Sequence, residues 1–133
     1  MKITRRTDYA IHLIAELSDN PNKPLGLRTL AESHNVTYAF ARTVQQGLLK
    51  AGIVATARGI NGGIKLARPL EEITLLEVFE AAQDPLGKAF STQDSSWCTC
   101  KGGCVSEDVW QSTCDVLGKH LASIKLSRII APK

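Results

Sequence analysis

The chain has 133 residues, with 16 Lys and Arg against 13 Asp and Glu, 44% hydrophobic and 5% aromatic residues, and four cysteines. That length supports one compact domain with a modest core, or a small domain joined to an oligomerisation element. No stretch approaches the roughly 20 apolar residues of a bilayer span, and the opening M-K-I-T-R-R has no apolar signal-type segment, so a cytoplasmic protein without membrane association is expected.

Charge is unevenly placed. Residues 1–68 hold ten Lys and Arg against four acids and residues 69–133 six against nine, so the net +3 divides into a basic first half and an acidic second half. The basic half is the candidate for contact with a polyanion.

Over residues 7–17, Ala10, Ile11, Leu13, Ile14 and Leu17 trace one helical face. Asp8 falls in the first turn, where the helix dipole favours an acid. D-N-P-N-K-P is a loop. Leu27, Leu30 and Ala31 give a short helix that stops near Asn35, with His34 as a solvated or C-capping residue. A second helix follows over residues 37–50. Thr37 is its N-cap, Phe40, Ala41, Val44, Leu48 and Leu49 form an inward stripe, and Gly52 ends it in the left-handed conformation. The face left outside carries Tyr38, Ala39, Arg42, Thr43, Gln45 and Gln46. It holds hydrogen-bonding groups and no acid, which suits a groove lined by base edges and phosphates.

Residues 53–57 and 64–67 are strand-like, and the R-G-I-N-G-G between them admits positive φ. Arg58 at the tip is placed to follow a phosphate backbone or enter a narrow minor groove. Helix, turn, helix and hairpin over residues 27–66 together predict a winged helix-turn-helix that binds duplex DNA.

After Arg68-Pro69 the composition changes. Thr74 and Glu77 have capping-box spacing at the head of a helix of two to three turns, and residues 83–96 read as a loop. All four cysteines, Cys98, Cys100, Cys104 and Cys114, lie within 17 residues. In a reducing compartment such clustering points to metal or redox chemistry rather than a structural disulfide. Cys98, Cys100 and Cys104 form C-x-C-x3-C, a set of thiolates able to hold an iron-sulfur cluster or zinc. From about Ser106, Trp110, Cys114, Leu117, Leu121 and Ile124 step by four, three, four and three, which is a heptad seam. The helix is expected to run to about Ile130, roughly 35 Å at ~1.5 Å per residue. So long a helix beside so small a core predicts a dimer contact shared with a symmetry mate. Cys114 on that seam reads as a packed thiol, and Trp97 and Trp110 as core or dimer packing. The expected fold class is mainly α with a small β-hairpin, a winged helix-turn-helix DNA-binding domain over 1–70 and a sensor loop with a long C-terminal dimerisation helix over 71–133.

The succession M-K-I-T-R-R-T-D-Y-A-I, L-A-E-S-H-N-V-T, L-L-K-A-G-I-V, R-G-I-N-G-G-I-K-L-A-R-P and E-E-I-T-L-L-E-V-F-E-A closely resembles the IscR and NsrR type of winged-helix transcription regulator, the Rrf-two family, along essentially the whole chain. The resemblance implies a bacterial homodimer that binds palindromic operators in double-stranded DNA, usually as a repressor. Many such proteins hold an iron-sulfur cluster, 2Fe-2S or 4Fe-4S, that senses cluster supply, nitric oxide, iron or redox state. It implies Thr37, Ala39, Phe40 and Arg42 at the base-reading face and Arg58 in the wing. With Arg28, Tyr38, Thr43, Gln46, Gly59 and Asn61 these make the expected DNA-binding set. Cluster-binding relatives carry three loop cysteines; Cys98 and Cys104 stand at the second and third of those positions, Thr92 stands at the first, and Cys100 is the available replacement. Asp8 stands where some members have an acidic ligand given by the partner protomer, and Glu107 where others have a ligating His. Either is a candidate fourth ligand, although Glu107 also suits the first turn of a helix. The dimer element implied is the C-terminal helix, with Trp110, Leu117, Leu121 and Ile124 in its interface.

Two cluster-free readings keep the same fold: a thiol-oxidation switch and a zinc site. A protein-protein adaptor is the alternative from another class, and it is disfavoured because an adaptor face should show large apolar anchors. No phosphate-cradling glycine loop and no nucleophile-base spacing points to an enzyme.

Overall fold

The computed structural model describes residues 3–60, 62–89 and 106–130. Its elements run α1 (Arg5–Ser18), α2 (Leu27–Ser33), α3 (Tyr38–Lys50), β1 (Val54–Ala57), β2 (Gly63–Leu66), a 3-10 turn (Leu70–Glu72), α4 (Leu75–Ala82), α5 (Leu86–Ala89), α6 (Glu107–Ser123) and α7 (Leu126–Ile129). Thr4 caps α1 by accepting from the Thr7 amide at 3.4 Å, and α1 buries Tyr9, Ala10, Leu13, Ile14 and Leu17 as its periodicity requires. The start of α1 is tied to the end of α4 through Gln83, whose Oε1 accepts from the Thr4 amide at 3.2 Å and from the hydroxyls of Thr4 and buried Thr7.

Both helices of the central motif end in the same way. At the end of α2, Asn35 adopts φ 54°, its amide donates to Glu32 O at 3.1 Å, and the Val36 amide donates to Ala31 O at 2.9 Å. At the end of α3, Gly52 adopts φ 74°, with Gly52 N–H to Leu49 O at 3.1 Å and Ile53 N–H to Leu48 O at 3.0 Å. These are Schellman closures, which satisfy the last carbonyls and turn the chain sharply. Asn is one of the few non-glycine residues that occupies this conformation readily. The first closure makes the turn between α2 and α3; the second sends the chain into the hairpin.

The hairpin is antiparallel, with Val54 opposite Leu66 and Ala57 opposite Gly63. A third short partner, Leu25, exchanges two backbone bonds with Ile64, at 2.9 and 2.8 Å. Burial of Val54 and Ile64 seats the hairpin on the core.

That core does not stop at residue 70. Ile73, Val78, Ala82, Leu126 and Ile130 join the same cluster as the α1 and α3 residues. The tail departs from expectation. The heptad helix ends at Ser123 rather than running to about Ile130. At Ile124 the backbone turns extended; Leu75 N–H donates to Ile124 O at 2.8 Å and Leu126 N–H to Ile73 O at 2.9 Å. This pairing, with Leu126 fully buried and Ile130 nearly so, gives the last residues more buried apolar surface than a continued solvated helix would. The 17 residues of α6 extend about 25 Å at ~1.5 Å per residue. The segment expected as an uninterrupted loop over 83–96 contains α5.

The Thr74 and Glu77 capping box forms in both directions: Glu77 N–H donates to Thr74 Oγ1 at 3.1 Å and Thr74 N–H to Glu77 Oε2 at 2.9 Å. Arg68 joins it, giving Nη2 to Glu77 at 2.9 Å while Nε donates to Gly52 O at 3.3 Å and Nη1 to Glu72 O at 3.2 Å. One guanidinium thus links the end of α3, the end of the hairpin and the head of α4. Partial burial pushes the Glu77 carboxyl up, but the Thr74 amide and Arg68 outweigh it and hold it below the ordinary carboxylate range. A carboxyl lowered in the folded state stabilises above its unfolded pKa, and that contribution fades as pH falls through the folded value. Glu77→Gln is therefore expected to lower the unfolding midpoint at about pH 7, with the gap to the parent closing towards about pH 3. Thermal unfolding followed by circular dichroism checks this, and a gap independent of pH contradicts it.

Candidate nucleic-acid interface

The inward side of α3 is set by Ala41, Val44 and Leu48, all buried. Tyr38, Ala39, Arg42, Thr43 and Gln46 are exposed as a consequence, and Gln45 is half-buried. Tyr38, Arg42 and Gln46 recur every four residues, so they share one face. Thr37 Oγ1 accepts from the Phe40 amide at 3.1 Å as the cap, which leaves its hydroxyl proton available to an outside acceptor. Thr43 spends its proton within the helix, donating to Ala39 O at 3.0 Å, so outwards it presents acceptor capacity and a methyl group. Arg28 of α2 reaches across the turn and lies over the Tyr38 ring at 4.6 Å from its centroid, a cation-π contact that pre-positions both side chains on the exposed edge of the motif.

Phe40 does not join that face. It is half-buried, packs its ring against Tyr9 at 5.6 Å, and has Arg5 over it at 5.6 Å. The inward stripe claims it because residues 40, 44 and 48 lie one above another on a helix.

In the hairpin Arg58 and Gly59 are exposed at the tip, Gly59 with φ 107°, beside a fully exposed Ile60. Asn61 lies outside the described residues. Gly63 sits so close to the Leu25 strand that a Cβ would fall 2.2 Å from Leu25 O, so the absence of a side chain is what lets the wing dock.

Cys98, Cys100 and Cys104 lie outside the described residues, as do Trp97 and Thr92. The two candidate carboxylates stand in first helical turns, Asp8 on α1 and Glu107 on α6, both exposed. Asp8 lies 3.8 Å from His12. Among the described residues no group of three His, Cys, Asp or Glu side chains is gathered closely enough to hold a metal ion. Cys114 is a half-buried free thiol. His34 caps α2 and lies against the Glu16 carboxylate at ion-pair distance, its Nε2 out of hydrogen-bond alignment. Leu117 and Leu121 of α6 and Ile124 just beyond its end are half-buried, and Leu86 of α5 lies over Gly118. The large apolar side chains of α6 left in solvent are Val109, Trp110 and Val116. Of the expected dimer seam, only Trp110 lies in that exposed stripe.

A profile of the Rrf2 family, described as an iron-dependent transcriptional regulator, matches residues 3–132. The chain belongs to the Rrf2 family. This Rrf2 chain is 35% identical over 89 residues to protein aau3 of Rhizobium meliloti, covering 67% of this chain and 58% of that one. It is 26% identical over 137 residues to the HTH-type transcriptional regulator IscR of Cronobacter sakazakii, covering 98% and 80%. The match to the Rhizobium protein thus spans less than two thirds of its length. Among solved structures CymR (YrzC), the global cysteine regulator of B. subtilis, shares the fold with a TM-score of 0.74 at 20% identity, over 98% of this chain and 96% of that one. The Rrf2 chain is a transcriptional regulator rather than an enzyme, and no helix among its described residues is long and apolar enough to cross a membrane.

Two features of this Rrf2 interface had no sequence signal. The Arg28 and Tyr38 stack joins residues ten apart across a turn, and the Leu25 partner strand is a single residue. Gly63→Ala is expected to break the Leu25 bridge, costing about 1–3 kcal/mol as an overpacked contact. Hydrogen exchange at the Leu25 and Ile64 amides would accelerate while that at Ala41 and Val44 would change less; protection that stays intact at Ile64 contradicts the account.

Proposed function

We propose that this protein is a homodimeric repressor whose α3 enters the major groove of a palindromic operator while the wing follows the adjacent backbone. The observation that carries this reading is the acid-free outward face of α3, with Thr37, Tyr38, Ala39, Arg42, Thr43 and Gln46, flanked by the Arg28 and Tyr38 stack and by exposed Arg58 on an anchored wing. Arg42 and Gln46 are the side chains able to pair with base edges. Arg28 and Arg58 supply phosphate or minor-groove contacts. Phe40 acts from behind, holding the helix start, and Gly59 and Asn61 belong to the wing turn. Dimerisation is assigned to α6 through its solvent stripe of Val109, Trp110 and Val116, an apolar line unusual on a free helix.

The second part of the proposal is a sensor. Three thiolates within seven residues, Cys98, Cys100 and Cys104, suit iron or zinc, and the family's description as iron-dependent favours an iron-sulfur cluster. Asp8 or Glu107, both exposed carboxylates, is the fourth ligand. When bound, such a cluster supplies redox- and nitric-oxide-sensitive chemistry. The residues around it turn its presence into a change in the spacing of two reading heads.

Duplexes enriched from genomic fragments should bind with an affinity that falls steeply with salt. Arg42→Ala should weaken the best duplex about tenfold, equivalent to ~1.4 kcal/mol, and relax preference at one base step. Arg58→Ala should reduce the salt slope by about one. A salt-independent affinity, or an Arg42 variant that binds as the parent does, overturns the reading. Protein purified without oxygen should be coloured and carry iron and sulfide; a colourless, iron-free sample contradicts the cluster and leaves the thiols as a redox switch.

A further inference from the structure

Behind the start of α3 lies a cleft of about 320 Å³ between α1, the turn after α2 and α3 itself, lined by Arg5, Asp8, Tyr9, His12, His34, Val36 and Phe40. This is the low end of the range for small-molecule sites, enough for one compact ligand. Its aromatic wall is built on Tyr9, which meets His34 edge-on at 5.5 Å and Phe40 at a tilt at 5.6 Å, with Val36 half-buried beside them.

The carboxylates at and behind the cleft face histidines, which carry charge only when protonated, while its guanidinium faces no acid among the described residues. Asp8 has His12 beside it, and Glu16, behind the cleft, has His34. Arg5 stays exposed with no acidic partner among the described residues, its guanidinium above Phe40 at 5.6 Å. Tyr9 is 95% buried by its 5% exposure, yet its hydroxyl makes no hydrogen bond among the described residues. A buried hydroxyl without a partner is costly and calls for one. Arg5 and Tyr9 stand at i and i+4 on α1, hence on one face. The cleft therefore offers one guanidinium without an acidic partner and one unpaired hydroxyl beside the apolar surface of Phe40 and Val36.

We propose that this cleft binds a small organic monocarboxylate with a flat apolar body, the carboxylate held by Arg5 and Tyr9 and the body resting on Phe40 and Val36. Because Phe40 belongs to the first turn of α3 and Val36 to the turn before it, occupancy changes the seating of α3 and with it DNA affinity. This goes beyond the cysteine sensor: it is a second input, acting from within one protomer.

The test uses the full chain with benzoate as probe, benzamide as its neutral isostere and inorganic phosphate as a generic anion. Benzoate is expected to move the Val36 and Phe40 amide resonances, with affinity lowered at least tenfold in Arg5→Gln and severalfold in Tyr9→Phe, which keeps the ring and so the packing. Benzamide binding as well as benzoate, phosphate competing equally, or two variants that bind like the parent would each overturn the site. Saturating benzoate should also change affinity for an enriched duplex at least threefold in the parent and not in Arg5→Gln; occupancy without that change overturns the effector role. The resonance shifts are read without DNA, so failure of the DNA-binding reading would leave them interpretable.

Discussion

The insertion of Ala41, Val44 and Leu48 of α3 between α1 and α4 fixes what the rest of the molecule can present. The approach is close enough that a Cβ on Gly47 would fall 2.2 Å from Ala81 O in α4, so the two helices meet backbone against side-chain-free surface. With that contact made, the rotation of α3 about its own axis is settled. Each fully buried Leu or Val contributes about 1.5–3 kcal/mol, and turning the helix would forfeit several of them at once. Exposure of Arg42 and Gln46 follows from the burial of Val44 and Leu48.

Around that insertion the polar groups are arranged to hold neighbours in place rather than to stabilise in isolation. Arg68 bonds α3, the hairpin end and α4 at once. Gln83 gathers Thr4 and Thr7, and Glu16 accepts from Ser33 at 3.3 Å while facing His34. The first two are local ties across helix ends, where orphaned backbone groups need partners. The third joins α1 to α2 and forms one wall behind the cleft. The rigid body so formed gives wing and α3 a fixed relation, a requirement for two elements that engage one duplex together.

Much of this was legible in the sequence, and the exceptions share a cause. Periodicity located α1 and α3, and short-range chemistry located the Thr37 cap, the Gly52 closure and the Thr74 and Glu77 box, because each depends on residues within a turn of one another. The break at Ile124 was missed because the seam steps regularly up to it, although its next position falls on Arg128, and it is the distant Ile73 and Leu75 backbone that draws the chain out of the helix. Periodicity put Phe40 in the inward stripe while the family resemblance put it on the reading face, and its packing on the Tyr9 ring agrees with the stripe. For the interface residues sequence gave identity and face, while the Arg28 and Tyr38 stack and the Leu25 anchor needed tertiary structure. The three loop cysteines stand where sequence left them, as a donor set without described geometry.

The account's central claim is that the outward face of α3, held by its buried stripe, is the surface that meets DNA. Titrating an isotopically labelled sample with an enriched duplex, and following amide and side-chain resonances, tests it most directly. The account predicts that the largest shifts fall on Thr37 to Gln46, Arg28 and Arg58, with Leu13, Val44 and Leu48 almost unmoved. Shifts concentrated on α6 or α4, with Arg42 and Gln46 silent, would contradict it.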